Sequence, residues 1–190
     1  MIGISYIAYE IADRKVSNLD RADELDASED FIRDKIGMIN TARKPEDWET
    51  SDLGVAAAEK AIRGADIDPV DIDCLIVVTQ NPDGNGLPHT SAIVHKKLRL
   101  SENCAAFDIS LGCSGYVYAL SIISSFMTAN ELNCGLLITA DPYSKIVNEH
   151  DRNTAMLFGD AASATIMTQG PIWRLGNFDF GTKGELHDAL

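Results

Sequence analysis

A layered α/β fold, with a mainly parallel mixed sheet covered by helices on both faces, is predicted by three features of this 190-residue chain. A wholly apolar run at 74–78 and a largely apolar one at 135–139 read as strands of a covered sheet. Segments of helical periodicity separate them, and β-like runs alternate with helix-like ones from residue 50 onward.

The elements follow in order. Residues 2–8 alternate loosely as a first strand. Ser28-Glu29-Asp30 offers a cap with acidic residues in the first turn of a short helix. Residues 52–62, with Leu53, Ala57, Ala61 and Ile62, predict a helix ending at Gly64. The strand at 74–78 leads to a loop at Pro82-Asp83-Gly84-Asn85-Gly86, and 90–98 predicts a second helix with Ile93, Val94 and Leu98 on one side. A strand at 105–109, a long helix at 114–132 and a strand at 135–139 come next. The stretch 141–158 is polar and irregular, and late strands are expected at 162–167 and 172–180.

Composition narrows the function classes. A net charge of −13 opposes binding to nucleic-acid phosphates. Lys96, Lys97 and Arg99 form the densest basic group, either a solvated helix face or a landing site for an acidic partner or a phosphate. The cysteines at 74, 104, 113 and 134 contain no Cys-x-x-Cys pair and read as reduced core thiols, which with the absence of a signal-peptide pattern predicts a cytoplasmic protein. No residue from 109 to 130 is charged, yet its many Ser, Thr and Gly residues predict a buried helix of a soluble fold rather than a membrane insertion. No His/Cys/Asp/Glu group has metal-ligand spacing.

The most informative feature is Cys113, in Phe107-Asp108-Ile109-Ser110-Leu111-Gly112-Cys113-Ser114-Gly115-Tyr116, where a strand meets a helix. A sulfur there faces unpaired N–H groups and the positive end of the helix dipole, which favour negative charge and nucleophilic chemistry. Gly112 and Gly115 would let the chain turn sharply and a substrate approach closely. The alternative is a small buried apolar residue.

Taken together, these segments closely resemble the N-terminal half of β-ketoacyl-[acyl carrier protein] synthase III, within the thiolase superfamily. The resemblance rests on Phe107-Asp108-Ile109 leading to Cys113-Ser114-Gly115-Tyr116, on Asp151-Arg152-Asn153-Thr154, and on Leu157-Phe158-Gly159-Asp160-Ala161-Ala162-Ser163-Ala164. Thr50-Ser51-Asp52-Leu53, Leu87-Pro88 and Phe178-Asp179-Phe180-Gly181-Thr182 add to it. It implies that 1–190 is a thiolase-like half whose C-terminal counterpart is absent from the chain.

The resemblance also implies a mechanism. Cys113 matches the nucleophile that takes an acyl group from acyl-coenzyme A, and decarboxylation of malonyl on acyl carrier protein then supplies the attacking carbanion. The Cys113 N–H resembles one oxyanion-hole donor. Gly159-Asp160 resembles the tight loop beside the nucleophile, with Ala161 in place of a family glycine. Phe31 and Arg152 align with residues that sandwich an adenine, and Lys35 falls where the family often has an arginine; Phe31 reads equally as a core residue of its short helix. Leu87 matches a residue that enters the acyl pocket of the other subunit in a homodimer, or is a loop anchor. No permanently bound cofactor is expected: acyl-CoA is a substrate, and acyl carrier protein the second partner.

The family's catalytic histidine and asparagine lie in the half not present here. His89, His95, His150 and His187 match neither position and read as surface or capping residues. The chain alone is therefore expected not to complete condensation, and to leave apolar helix surface uncovered. Specialised polyketide- or quinolone-type relatives share these motifs. A cysteine-containing α/β hydrolase is disfavoured by Leu111, two positions before Cys113, where that elbow needs glycine. A nucleotide-binding module is disfavoured because His89 and Pro88 interrupt the pattern begun at Gly84-x-Gly86. A non-catalytic scaffold that binds an acyl carrier remains a third reading.

Overall fold

The computed structural model describes residues 1–188. Its elements run β1 (Ile2–Ile11), β2 (Arg14–Ser17), β3 (Asn40–Arg43), α1 (Thr50–Ala65), β4 (Cys74–Val78), α2 (Thr90–Leu98), β5 (Ala105–Ile109), α3 (Gly115–Ala129), β6 (Cys134–Ala140), β7 (Ala161–Gln169) and β8 (Trp173–Arg174). One six-stranded sheet has the order β5-β4-β6-β7-β1-β8, and β2 pairs with β3 in a separate ribbon.

β4 lies inside the sheet with every residue buried. Leu75 and Val77 face the α1/α2 layer together with Leu136, Ile138 and Ala164, whereas Cys74, Ile76 and Val78 face α3 together with Leu137. Strand alternation thus feeds two cores from one apolar run. α3 answers with Ala119, Ile123 and Met127 at four-residue spacing, all fully buried. α1 presents Leu53, Ala57 and Ala61 to the other face at the same spacing.

The sheet is mixed, as expected, but its parallel share is smaller than the sequence predicts. Only β4–β5 and β4–β6 pair in parallel; β6–β7, β1–β7 and β1–β8 are antiparallel. The cause is connectivity. Parallel neighbours need a crossover, supplied by α2 and α3, whereas the segment between β6 and β7, which holds only the short 3-10 turn Tyr143–Lys145, returns the chain antiparallel.

β1 carries an irregularity between Ile4 and Tyr6. Ile2 and Ile4 pack on the α3 side, but after the extra residue Ala8 packs on the α1 side. The shift in parity leaves Ile7, Tyr9 and Ile11 directed to the α3 side of the sheet, where all three are exposed.

Several boundaries differ from expectation. α1 continues past Gly64 to Ala65, and Asp66 takes the left-handed conformation (φ +55°). Gly64 serves packing instead: a Cβ there would lie 2.3 Å from Tyr6 Cζ. α3 stops at Ala129 rather than 132, because Glu131 is left-handed and the Leu132 N–H closes onto the Met127 carbonyl (2.9 Å). Of 172–180 only Trp173–Arg174 pairs, where it meets Gly3 and Ile4; Leu175 and Phe178 instead pack on the α3-side core. The helix after Ser28 is a single π-helical turn, Phe31–Ile36, and the Ser28 hydroxyl accepts the Phe31 N–H (3.1 Å) as expected of a cap.

Two predictions follow from the packing. Ile123→Ala should lower unfolding free energy by about 2–5 kcal/mol, and Val117→Ala on the exposed side of α3 by about 0.5 kcal/mol or less, in urea titrations. Equal losses would contradict the assignment of faces. The second concerns pH. Burial raises the Cys74 and Cys134 thiols to about 12 and Cys104 to about 11, so between about pH 9 and those values the unfolded chain holds fewer protons than the folded one. The thiols' contribution should be level from neutral pH to about pH 9 and fall as pH rises above it; a urea midpoint that rises from pH 8 to pH 10.5 would contradict this.

Candidate active site

The loops leaving β4 and β5 lead to helices on opposite faces of the sheet. Crevices of α/β folds open at such a divergence, beyond the carboxyl ends of the strands. Cys113 sits there, one residue before the cap Ser114 of α3, and it is exposed, whereas Cys74, Cys104 and Cys134 are buried. The expectation of four core thiols therefore fails at one position, because residue 113 lies in the turn above the sheet. Among the described residues no acceptor meets the Cys113 N–H, which leaves that donor unengaged.

Gly112 and Gly115 act differently from the sharp turn expected of them. Neither has positive φ. A Cβ on Gly115 would lie 2.5 Å from Val78 Cγ1, and one on Gly112 would lie 2.6 Å from Gln80 Oε1, so both glycines let the α3 entry sit hard against β4 and its exit loop.

A pocket of about 540 Å³ opens beside Cys113, walled by Val78, Tyr116, Thr139, Tyr143, Phe158 and Ser163, with Tyr9 and Ile11 from the reoriented end of β1. Tyr143 and Phe158 stack with centroids 4.4 Å apart at 15°. Burial, then the Asp141 carboxylate and Cys113, push the Tyr143 phenol above its ordinary value and keep it neutral. The Tyr116 hydroxyl bonds Thr165 Oγ1 (3.1 Å), and Thr139 Oγ1 bonds Ser163 Oγ (2.7 Å). The walls are largely apolar with a few fixed hydroxyls, as suits a small, mostly apolar ligand group.

Gly159 and Asp160 are at the site, Gly159 in the pocket wall and Asp160 fully buried behind it. The Asp160 carboxylate accepts from Lys44 N–H (2.9 Å), Ser144 N–H (3.0 Å) and Ser144 Oγ (2.6 Å), while its own N–H reaches the Ala42 carbonyl (3.0 Å). It fastens the Tyr143 turn to β3. A Cβ on Gly159 would lie 3.0 Å from Ala42 N, so only a small residue fits that junction. Ala161 is an ordinary first residue of β7, paired with Ile11.

Phe31 and Arg152 are brought together, the guanidinium 5.4 Å from the ring centroid, in a separate pocket of about 500 Å³ that shares no lining residue with the first. Phe31 is only partly buried against its small cluster, and its ring faces the pocket. Lys35 is exposed and does not line it. Leu87 is 89% exposed on the loop before α2, away from both pockets. None of the four histidines lines the Cys113 pocket; His95 bonds the Ser101 carbonyl (2.8 Å), and His89 occupies the N-cap position of α2 without a side-chain capping bond. Lys97 is committed to Asp52 (2.6 Å) and Ser51 (2.7 Å), which reduces the basic group as a landing site.

Sequence reasoning missed three supports. Asp141 Oδ1 accepts from Thr79 Oγ1 and the Gln80 and Asn81 N–H groups, shaping the exit of β4. Arg43, nearly buried, donates to the Phe158 (2.7 Å) and Ala155 (3.2 Å) carbonyls and holds the aromatic wall. Tyr143 supplies half of that wall. An acid directly after a strand, as at Asp141, was the available signal.

A family profile described as 3-Oxoacyl-[acyl-carrier-protein (ACP)] synthase III matches residues 107–184, the span from β5 through the pocket wall. A beta-ketoacyl-[acyl-carrier-protein] synthase III of Neisseria meningitidis is 36% identical over 154 residues, 81% of this chain and 48% of its own length. The matched spans correspond to about half of a 3-oxoacyl-[acyl-carrier-protein] synthase III. The crystal structure of a family member from Pseudomonas aeruginosa superposes with TM-score 0.88 at 28% identity, over 98% of this chain and 58% of that one. The priming β-ketosynthase of the R1128 polyketide pathway gives 0.82 at 26%, over 88% and 50%. The thiolase-like α/β fold is thereby established, and the chain spans about half the length of the curated relatives it matches.

At pH 7.5, limiting iodoacetamide should modify Cys113 alone, the three buried thiols reacting only after denaturation, as read by peptide mass mapping. Modification of Cys104 at a comparable rate would contradict the burial.

Proposed function

We propose that this chain is the nucleophile-bearing half of a 3-oxoacyl-[acyl-carrier-protein] synthase III-like acyltransferase. The observation that carries the reading is the exposed Cys113 at the α3 entry, beside an apolar pocket, in a chain whose other thiols are buried. In the first step Cys113 Sγ attacks the acyl-CoA carbonyl carbon, the oxyanion meets the Cys113 N–H, and the C–S bond to coenzyme A breaks to release its thiolate. In the second, malonyl on acyl carrier protein loses CO2; the resulting carbanion attacks the thioester carbonyl and expels the Cys113 thiolate, giving a 3-oxoacyl carrier thioester.

The matched residues here supply the acyl acceptor and one oxyanion donor. The groups that polarise the malonyl carbonyl belong to the portion of the relatives not matched, so condensation is assigned to the whole assembly. Leu87, projecting from its loop, is read as reaching the acyl pocket of a second subunit in a homodimer. Phe31 and Arg152 are read as the acyl-donor slot, with Lys35 at its margin. Cytoplasmic location is part of the same reading. No helix among the described residues is long and apolar enough to cross a membrane. The likeness to a polyketide priming synthase favours, as a second reading, a primer-loading role in a specialised pathway.

Exposure of the chain to acetyl-CoA should add one acetyl mass, labile to hydroxylamine and lost in Cys113→Ala. No adduct on a folded chain, with none appearing when the remaining half of the enzyme is supplied, would leave the scaffold reading in its place.

A further inference from the structure

The Phe31–Arg152 pocket has a charge pattern at odds with a polyanionic ligand. Its lining consists of Ala22, Asp23, Asp26, Ala27, Ser28, Phe31 and Arg152, so two acidic residues and one arginine share it. The neighbouring cations are already engaged: Arg21 by Glu24 (3.2 Å) and Arg33 by Glu29 (2.7 Å). Lys35 lies outside the lining, and Asp20, Asp30 and Asp34 add negative charge along the same segment. Arg152 is itself tethered, donating from Nη1 to the Asp26 carbonyl (2.8 Å) while it lies on Phe31. A planar base between ring and guanidinium needs two contacts of about 3.5 Å each. The present 5.4 Å is too narrow, so a ligand must first free Arg152.

We propose that Asp23 and Asp26 repel the phosphates of an adenine-bearing acyl donor at this slot, which therefore favours donors carrying fewer phosphates over coenzyme A itself. The proposal rests on the reading of Phe31 and Arg152 as the donor site. Two like-charged groups in a solvent-open pocket act over the screening length, which falls from about 30 Å at 0.01 M salt to about 3 Å at 1 M. The preference is accordingly a low-salt property. It has the opposite sign to that of a slot whose cations grip a phosphate, where each phosphate removed weakens binding.

The test is titration calorimetry of the chain with coenzyme A and dephospho-coenzyme A under reducing conditions. The dephospho form should bind about threefold or more tighter at about 20 mM NaCl, and the difference should vanish at about 500 mM. Asp23→Asn with Asp26→Asn should abolish the preference at low salt. Both side chains are exposed, and asparagine tolerates the left-handed backbone at position 26 (φ +47°), so the variant keeps the fold. Equal or tighter binding of coenzyme A at low salt, an unchanged preference in the variant, or binding of neither compound would overturn the proposal. Acetylation of Cys113 is scored separately. Its absence beside an intact preference sinks the nucleophile reading alone, and its presence without the preference sinks this one alone.

Discussion

The packing of α3 against β4 sets the position of everything chemical in this chain. Ala119, Ile123 and Met127 rest on Cys74, Ile76, Val78 and Leu137, and Gly115 lets the first turn of the helix approach Val78 without a side chain between them. Because β4 is buried on both faces, its neighbours reach parallel register only through crossovers, and those crossovers lie on opposite sides of the sheet. The crevice at their divergence is a consequence of topology, and Cys113 is the residue that topology delivers to it.

Carboxylates complete the arrangement by satisfying backbone donors that the fold leaves open. Asp108, in β5, accepts the first two N–H groups of α2 (2.7 and 2.8 Å). Asp83 accepts the Ser51 N–H (2.8 Å) at the start of α1, and Asp141 and Asp160 do the same for the β4 exit and the Tyr143 turn. A buried carboxylate is costly unless several donors meet it, and each of these has at least two. An acidic chain thus uses several of its charges to fix helix starts and loops, among them those beside the Cys113 pocket. The charges left exposed near Phe31 and Arg152 are a different population, free to act on a ligand.

The two cores were legible in the sequence because burial on both faces leaves an uninterrupted apolar run. β4, α2 and β5 accordingly have the boundaries that periodicity predicts. The β2–β3 ribbon was not legible: four residues on each side, mostly polar and joined over a long separation, carry no period. The mixed sense of the sheet was also hidden, since pairing direction depends on whether a connection contains a crossover, a property of the path rather than of any strand. At the site, Cys113 and the Gly159-Asp160 loop could be named from local sequence. Tyr9, Ile11 and Tyr143 could not, because an irregularity in β1 and a bond from Asp160 bring them to the pocket from distant segments.

The central proposal is geometric: an acyl group on Cys113, at the α3 entry, would have its carbonyl within reach of the residue's own N–H. A crystal structure of the chain after acetyl-CoA loading tests it directly. The account predicts density continuous with Cys113 Sγ, the acyl group against Tyr116 and Phe158, and its carbonyl oxygen about 3 Å from the Cys113 N–H. An acyl group carried on another residue, or one on Cys113 that turns to solvent with the N–H unengaged, would contradict it.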